Sequence, residues 1–132
     1  MYLLDTNALI IALRGHLADS KLTEPSMEIL RTERELYVSV IALWEMAIKV
    51  RIGKLALDCS ISDIAKECEQ VGITILPMKI EYIDKTTELP LMDDHKDAFD
   101  RFMISVAAVE GMTLITTDGK IRSHDYGIEV VW

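Results

Sequence analysis

Five short blocks of apolar residues punctuate the chain, and their spacing limits the available folds more than any other feature. The blocks are Tyr2 to Leu4, Leu36 to Val38, Ile73 to Leu76, Thr113 to Thr116 and Ile128 to Trp132. A strand that is apolar throughout, without alternation, is one covered on both faces. The intervening stretches carry helical periodicity and are too long for hairpin turns, so they read as crossovers between parallel strands. The expected class is therefore α/β, a central parallel β-sheet flanked by α-helices. With 132 residues the chain has material for one core and not two, and residues 1–132 are read as a single domain.

The helices have recognisable limits. Ala8, Leu9, Ile10, Ala12 and Leu13 follow the turn Asp5-Thr6-Asn7, and Pro25 opens a second helix to about Arg31. Val40 to Ile52 is apolar on nearly all sides, which predicts a largely buried helix stopped by Gly53. Ser60 or Ser62 can cap a helix carrying Ile64, Ala65, Cys68 and Val71, closed by Gly72. Ile80 to Glu88 reads as helix, Leu89 to Lys96 as loop, and Asp97 to Glu110 as a helix ended by Gly111. Asp118-Gly119 is a turn signal.

Composition excludes several classes of function. No apolar stretch approaches the roughly 18 residues of a membrane span, and the opening MYLLDTN lacks a basic leader, so a soluble cytoplasmic protein with no membrane partner is expected. Cys59 and Cys68 lack zinc-like spacing and read as inert thiols. A net charge of −8 opposes broad adhesion to nucleic acid, while local bases such as Lys49, Arg51 and Lys54 can still gather. The same acidity suits a basic protein partner.

The acids are the chemically informative residues. Asp5 follows the first strand and can cap a helix or face the crevice at the strand ends. Glu45 is the only acid between Leu36 and Asp58; it either pairs with Lys49 at i, i+4, worth a few tenths of a kcal/mol, or serves a buried polar site. Asp97 and Asp100 share a helix face and suit either the helix dipole or a site. Asp118 suits either a turn or the crevice. Asp93 and Asp94 fall in the loop and read as solvated. Clustered carboxylates persist by sharing protons or binding a cation, and hard oxygen donors suit Mg²⁺ or Mn²⁺ over zinc. His16, His95 and His124 show no ligand spacing, and no nucleophile elbow or phosphate loop is present.

Taken in order, LLDTNALI, LWEMAIK, DHKDAFDRFMISVAAVEG and LITTD with a closing GIEVVW resemble the successive motifs of PIN-domain nucleases, of the VapC-like toxin type, over essentially the whole chain. The resemblance implies Asp5 at the end of the central strand and Glu45, Asp100 and Asp118 around a divalent-ion pocket, with Asp97 beside them as a further ligand. It places Asn7, Ser39 and Thr116 as supporting polar groups, each equally suited to a cap or strand-end hydroxyl. Ala98 stands where close relatives are expected to carry proline, and Gly119 directly follows Asp118. The first departure bears on how the helix from Asp97 starts, and the second on the local turn that aims Asp118.

The activity implied is hydrolysis of RNA by one or two Mg²⁺ or Mn²⁺ ions, with in-line attack by water leaving 5′-phosphate and 3′-hydroxyl ends. Lys49, Arg51, Lys54 and Arg101 are candidates for holding the RNA backbone or, alternatively, a solvated basic face. The resemblance further implies a homodimer and a cognate antitoxin whose basic tail enters the acidic pocket. Two other readings compete: a non-catalytic PIN-like module that binds RNA or protein, which the retention of all four acids disfavours, and a phosphoacceptor receiver domain, which lacks its lysine after a late strand.

Overall fold

A computed structural model describes residues 1–18, 20–94 and 96–132. Strands β1 (Tyr2–Leu4), β2 (Leu36–Ser39), β3 (Ile73–Leu76), β4 (Thr113–Ile115) and β5 (Val130–Val131) form one parallel sheet in the order β3-β2-β1-β4-β5. Helices α1 (Thr6–Arg14), α2 (Glu24–Thr32), α3 (Val40–Arg51), α4 (Ile61–Gln70), α5 (Ile80–Thr86), α6 (Ala98–Glu110) and α7 (Gly119–Ser123) surround it, with a short 3₁₀ turn at Gly15–Leu17. The α/β expectation and the five strand sites hold.

Both faces of the sheet are covered. Leu3 and Leu4 point to opposite sides of β1, as Leu114 and Ile115 do on β4, and all four are fully buried. Each contributes roughly 2 kcal/mol of transfer free energy. The register pairs Leu4 with both Val38 and Ile115. Asp5, Ser39 and Thr116 therefore follow side by side at the C-terminal edge. The chain leaves β1 to build one side of the sheet and returns to build the other, so β1 and β4 flank the switch point where such sheets form a crevice.

Local chemistry explains the helix limits. Ser60 caps α4 through the Asp63 amide (3.1 Å), and the Asp63 carboxylate returns a bond to the Ser60 amide (3.1 Å). Gly111 ends α6 in the left-handed conformation at φ 67°. Asp97 caps the start of α6 by accepting the Asp100 amide (3.0 Å), so Ala98 begins a properly capped helix without the expected proline.

Three expectations need correction. Helix α3 buries Ile41, Ala42, Leu43 and Met46, but Val40, Trp44 and Val50 are exposed, Trp44 by 59%. An all-round apolar sequence does not reveal whether a face is covered within the same chain, and this one is covered on one side only. Asp118-Gly119 is no bare turn, because it starts α7, with Asp118 as its cap. The last two strands are shorter than their apolar blocks, since Thr116 turns its hydroxyl to Asp5 and only Val130–Val131 pair with β4.

Both cysteines are free, Cys68 buried and Cys59 half-buried. His16 is exposed and His124 binds Asp94 (2.7 Å), whereas His95 lies outside the described residues. Asp93 is solvated, but Asp94 is held by that histidine. Among the described residues no helix is long and apolar enough to cross a membrane. Ser60→Ala should cost about 1 kcal/mol through loss of the reciprocal cap, lowering the melting temperature by about 4 °C. Calorimetry against wild type measures this directly.

Candidate active site

Asp5 is nearly inaccessible, at 7% exposure, because it directly follows the buried strand β1. One carboxylate oxygen accepts the Ala8 amide (2.8 Å), which caps α1. The other accepts the Thr116 hydroxyl. That hydroxyl in turn accepts the Asp118 amide (3.0 Å), so its single proton is committed to Asp5. Thr116 thus couples the ends of β1 and β4, and each Asp5 oxygen keeps a second lone pair.

The other acids come from three helices. Glu45, half-buried on α3, accepts the Thr6 hydroxyl of α1 at 2.5 Å. Asp118 accepts the Lys120 and Ile121 amides (2.8 and 3.1 Å), which fixes its orientation despite the glycine that follows. Asp100 lies half-buried in the first turn of α6. Asp5, Glu45, Asp100 and Asp118 line one recess of about 280 Å³, solvent at its mouth included, together with Thr6, Asn7, Lys49 and Met103. The structure thus brings together four of the five acids singled out in the sequence.

Asp97 is exposed and absent from that lining; its role on the described contacts is the α6 cap. Ser39 is fully buried and caps α3 through the Ile41 amide (3.2 Å). Asn7 accepts the Lys49 ammonium (3.1 Å) and reaches Thr117 (3.4 Å). Lys49 therefore turns to Asn7, in place of the i, i+4 contact with Glu45. Lys54 lies in an adjoining recess and Arg51 is exposed at the end of α3. Arg101 donates to the Thr86 and Pro90 carbonyls (both 2.9 Å), bracing the segment before α6 away from the recess.

Sequence reasoning missed Thr6 and Met103. Thr6 stands between Asp5 and Asn7 in the quoted LLDTNALI, where a hydroxyl in a buried turn needs a partner. Met103 follows Asp100 by three residues and so shares its helix face.

Burial, opposed by the Thr116 and Ala8 bonds and reinforced by the charges of Glu45 and Asp118, pushes the Asp5 carboxyl up to about 6 from an ordinary 3.8. The set is charge-frustrated without a counter-ion. Among the described residues no three His, Cys, Asp or Glu are placed to hold an ion between them. The recess is lined by carboxylates and by no thiolate or imidazole, so its donors are hard oxygens.

The acidic recess lies at the switch point of a parallel α/β sheet, the place where folds of this class carry their functional groups. The PIN domain model matches residues 2–125, and the chain belongs to the PIN-domain family, whose members are generally nucleases. No curated protein matches the sequence. Three solved structures share the fold. VapBC2 from Rickettsia felis, bound to a DNA fragment from their promoter, is 20% identical over 98% of this chain and 96% of that chain, with a TM-score of 0.65. A toxin-antitoxin complex from Klebsiella pneumoniae is 17% identical over 100% and 97%, with a TM-score of 0.63. FitAcB from Neisseria gonorrhoeae is 20% identical over 100% and 97%, with a TM-score of 0.63.

The raised Asp5 pKa gives a pH dependence with a defined sign. The fold favours the neutral carboxyl, so its stabilising contribution is complete below pH 3.8 and is lost as pH rises to about 6. The loss amounts to roughly 3 kcal/mol. In chelator, wild type should weaken more than Asp5→Asn between pH 4 and pH 7 in urea denaturation. Parallel pH profiles would remove Asp5 from a charge-frustrated site.

Proposed function

We propose that the chain is a divalent-metal-dependent endoribonuclease, the VapC-like toxin of a toxin-antitoxin pair. The observation that carries this reading is the convergence of Asp5, Glu45, Asp100 and Asp118 on one recess. Asp5, Glu45 and Asp100 would be the principal ligands, with Asp118 acting directly or through water, and the ion would keep waters of its own because no three described acids close on one point; Asp97 contributes the cap beneath Asp100. Held by these carboxylates, Mg²⁺ or Mn²⁺ would supply Lewis acidity for phosphodiester hydrolysis.

The chain's own groups orient the reaction. Thr116 holds one Asp5 oxygen and the amide of Asp118, and Thr6 holds Glu45, so three carboxylates are positioned before any ligand arrives. Lys49 supplies a cation beside the acids for a substrate phosphate. Ser39 keeps the start of α3 fixed against β2. Likeness to toxin-antitoxin structures supports a cognate antitoxin, whose Arg or Lys tail would enter the acidic recess. The uncovered α3 face, where Trp44 meets Phe99 edge to face, supports a homodimer. A soluble, cytoplasmic toxin acting on RNA fits all these features.

Asp5→Asn and Glu45→Gln should abolish cleavage of single-stranded RNA with Mg²⁺ or Mn²⁺ while leaving the far-UV circular dichroism intact. Full activity in both would sink the assignment. Metal-induced stabilisation offers a test that needs no substrate. An ion that binds only the folded state stabilises it by about 2.7 kcal/mol at a hundredfold excess over its dissociation constant. Wild type and Asp93→Asn should therefore melt higher in Mn²⁺, and Asp100→Asn much less so. Equal shifts in all three would place Asp100 outside the ion site.

A further inference from the structure

A second recess, of about 290 Å³, adjoins the acidic one, and Asn7 and Lys49 line both. Its other polar side chain is Lys54, among apolar walls that include Ile10, Leu17 and Leu55. Among the described residues that line it there is no acid. In a chain of net charge −8, two lysines are the only charged residues among the described lining of this recess.

The backbone explains how they meet. On a continued helix Lys54 would lie about 140° round the axis from Lys49. Instead Gly53 takes φ 78°, and the chain folds back at the end of α3. The Lys54 amide then donates to the Lys49 carbonyl (2.8 Å), and the Gly53 amide to the Val50 carbonyl (3.2 Å), the two bonds of a Schellman motif. The Leu55 amide shares the Lys49 carbonyl (3.2 Å), and buried Leu55 anchors the turn. The motif ties the two lysines together, and Asn7 draws the Lys49 ammonium to the wall between the recesses.

We propose that Lys49 and Lys54 form a phosphate subsite beside the acidic recess, holding the phosphodiester group next to the scissile one on a single-stranded RNA. This rests on the nuclease reading. It separates the basic candidates: Lys49 and Lys54 hold the substrate backbone, whereas Arg101 is committed to carbonyls of its own chain. The subsite gives the acidic recess what its carboxylates cannot, an attraction for RNA that does not depend on the ion.

Binding of labelled oligouridylate to wild type is measured by anisotropy in chelator across a series of potassium chloride concentrations. The slope of log affinity against log salt should fall by about 0.7 in Lys54→Gln, one phosphate contact on a single strand. Lys66→Gln, an exposed lysine of α4, should keep the wild-type slope. An unchanged slope in Lys54→Gln overturns the subsite, and loss of acidic-peptide binding in that variant would reassign the recess to a protein partner. If wild type binds no RNA in chelator, the subsite is overturned, and the nuclease reading is judged separately by cleavage with metal present. Shifts in the Lys49 and Lys54 ammonium resonances on adding inorganic phosphate support an anion site, and their absence overturns it.

Discussion

A carboxylate at the end of the central strand is the constraint around which the site is arranged. Asp5 follows Leu3 and Leu4, both without exposure, and inherits their position at the middle of the sheet. A buried charge is tolerated only when its oxygens are bonded. The Ala8 amide and Thr116 hydroxyl meet that need, and in doing so they define where α1 starts and how β4 ends. Glu45 and Asp118 nonetheless add like charge to the same volume. The fold therefore carries an electrostatic cost at this edge, and the sheet's hydrophobic core is what holds the acids together against it.

The fold was legible because the five apolar blocks are short and continuous, and because caps and glycines mark the helix ends. Ser60 and Gly111 could be read without tertiary information, since their bonds are local. The α3 surface was not legible for the opposite reason. Trp44 and Met46 are two residues apart and equally apolar, yet one is exposed and the other buried. Only the arrangement of neighbouring elements distinguishes them. The helix α7 was hidden because five residues carry too little periodicity to outweigh an Asp-Gly turn signal.

The acids were legible as residues and as an ordered set, but their separate duties were not. Asp97 and Asp100 share a face in sequence terms, while in the fold Asp97 turns to cap the helix and Asp100 lines the recess. Thr6 escaped notice because its partner, Glu45, lies 39 residues away. Arg101 is a similar case: its guanidinium reads as a phosphate ligand until the carbonyls of Thr86 and Pro90 are seen beside it. Long-range pairing, and not residue type, decides these assignments.

On the proposed reading, the distribution of cations reconciles an acidic chain with an anionic substrate. Arg14 pairs with Glu67, Arg31 with Glu24 and Glu28, Lys79 with Glu110 and Lys85 with Glu88. These pairs cancel at short range, and beyond about 8 Å physiological salt screens what is left. The net charge is therefore a poor guide to the potential inside one crevice. There, on the proposed reading, the four carboxylates would attract phosphate only through an ion, whereas Lys49 and Lys54 would attract it without one. Productive contact with a polyanion would then centre on the edge of the sheet where the acidic recess and the two lysines adjoin.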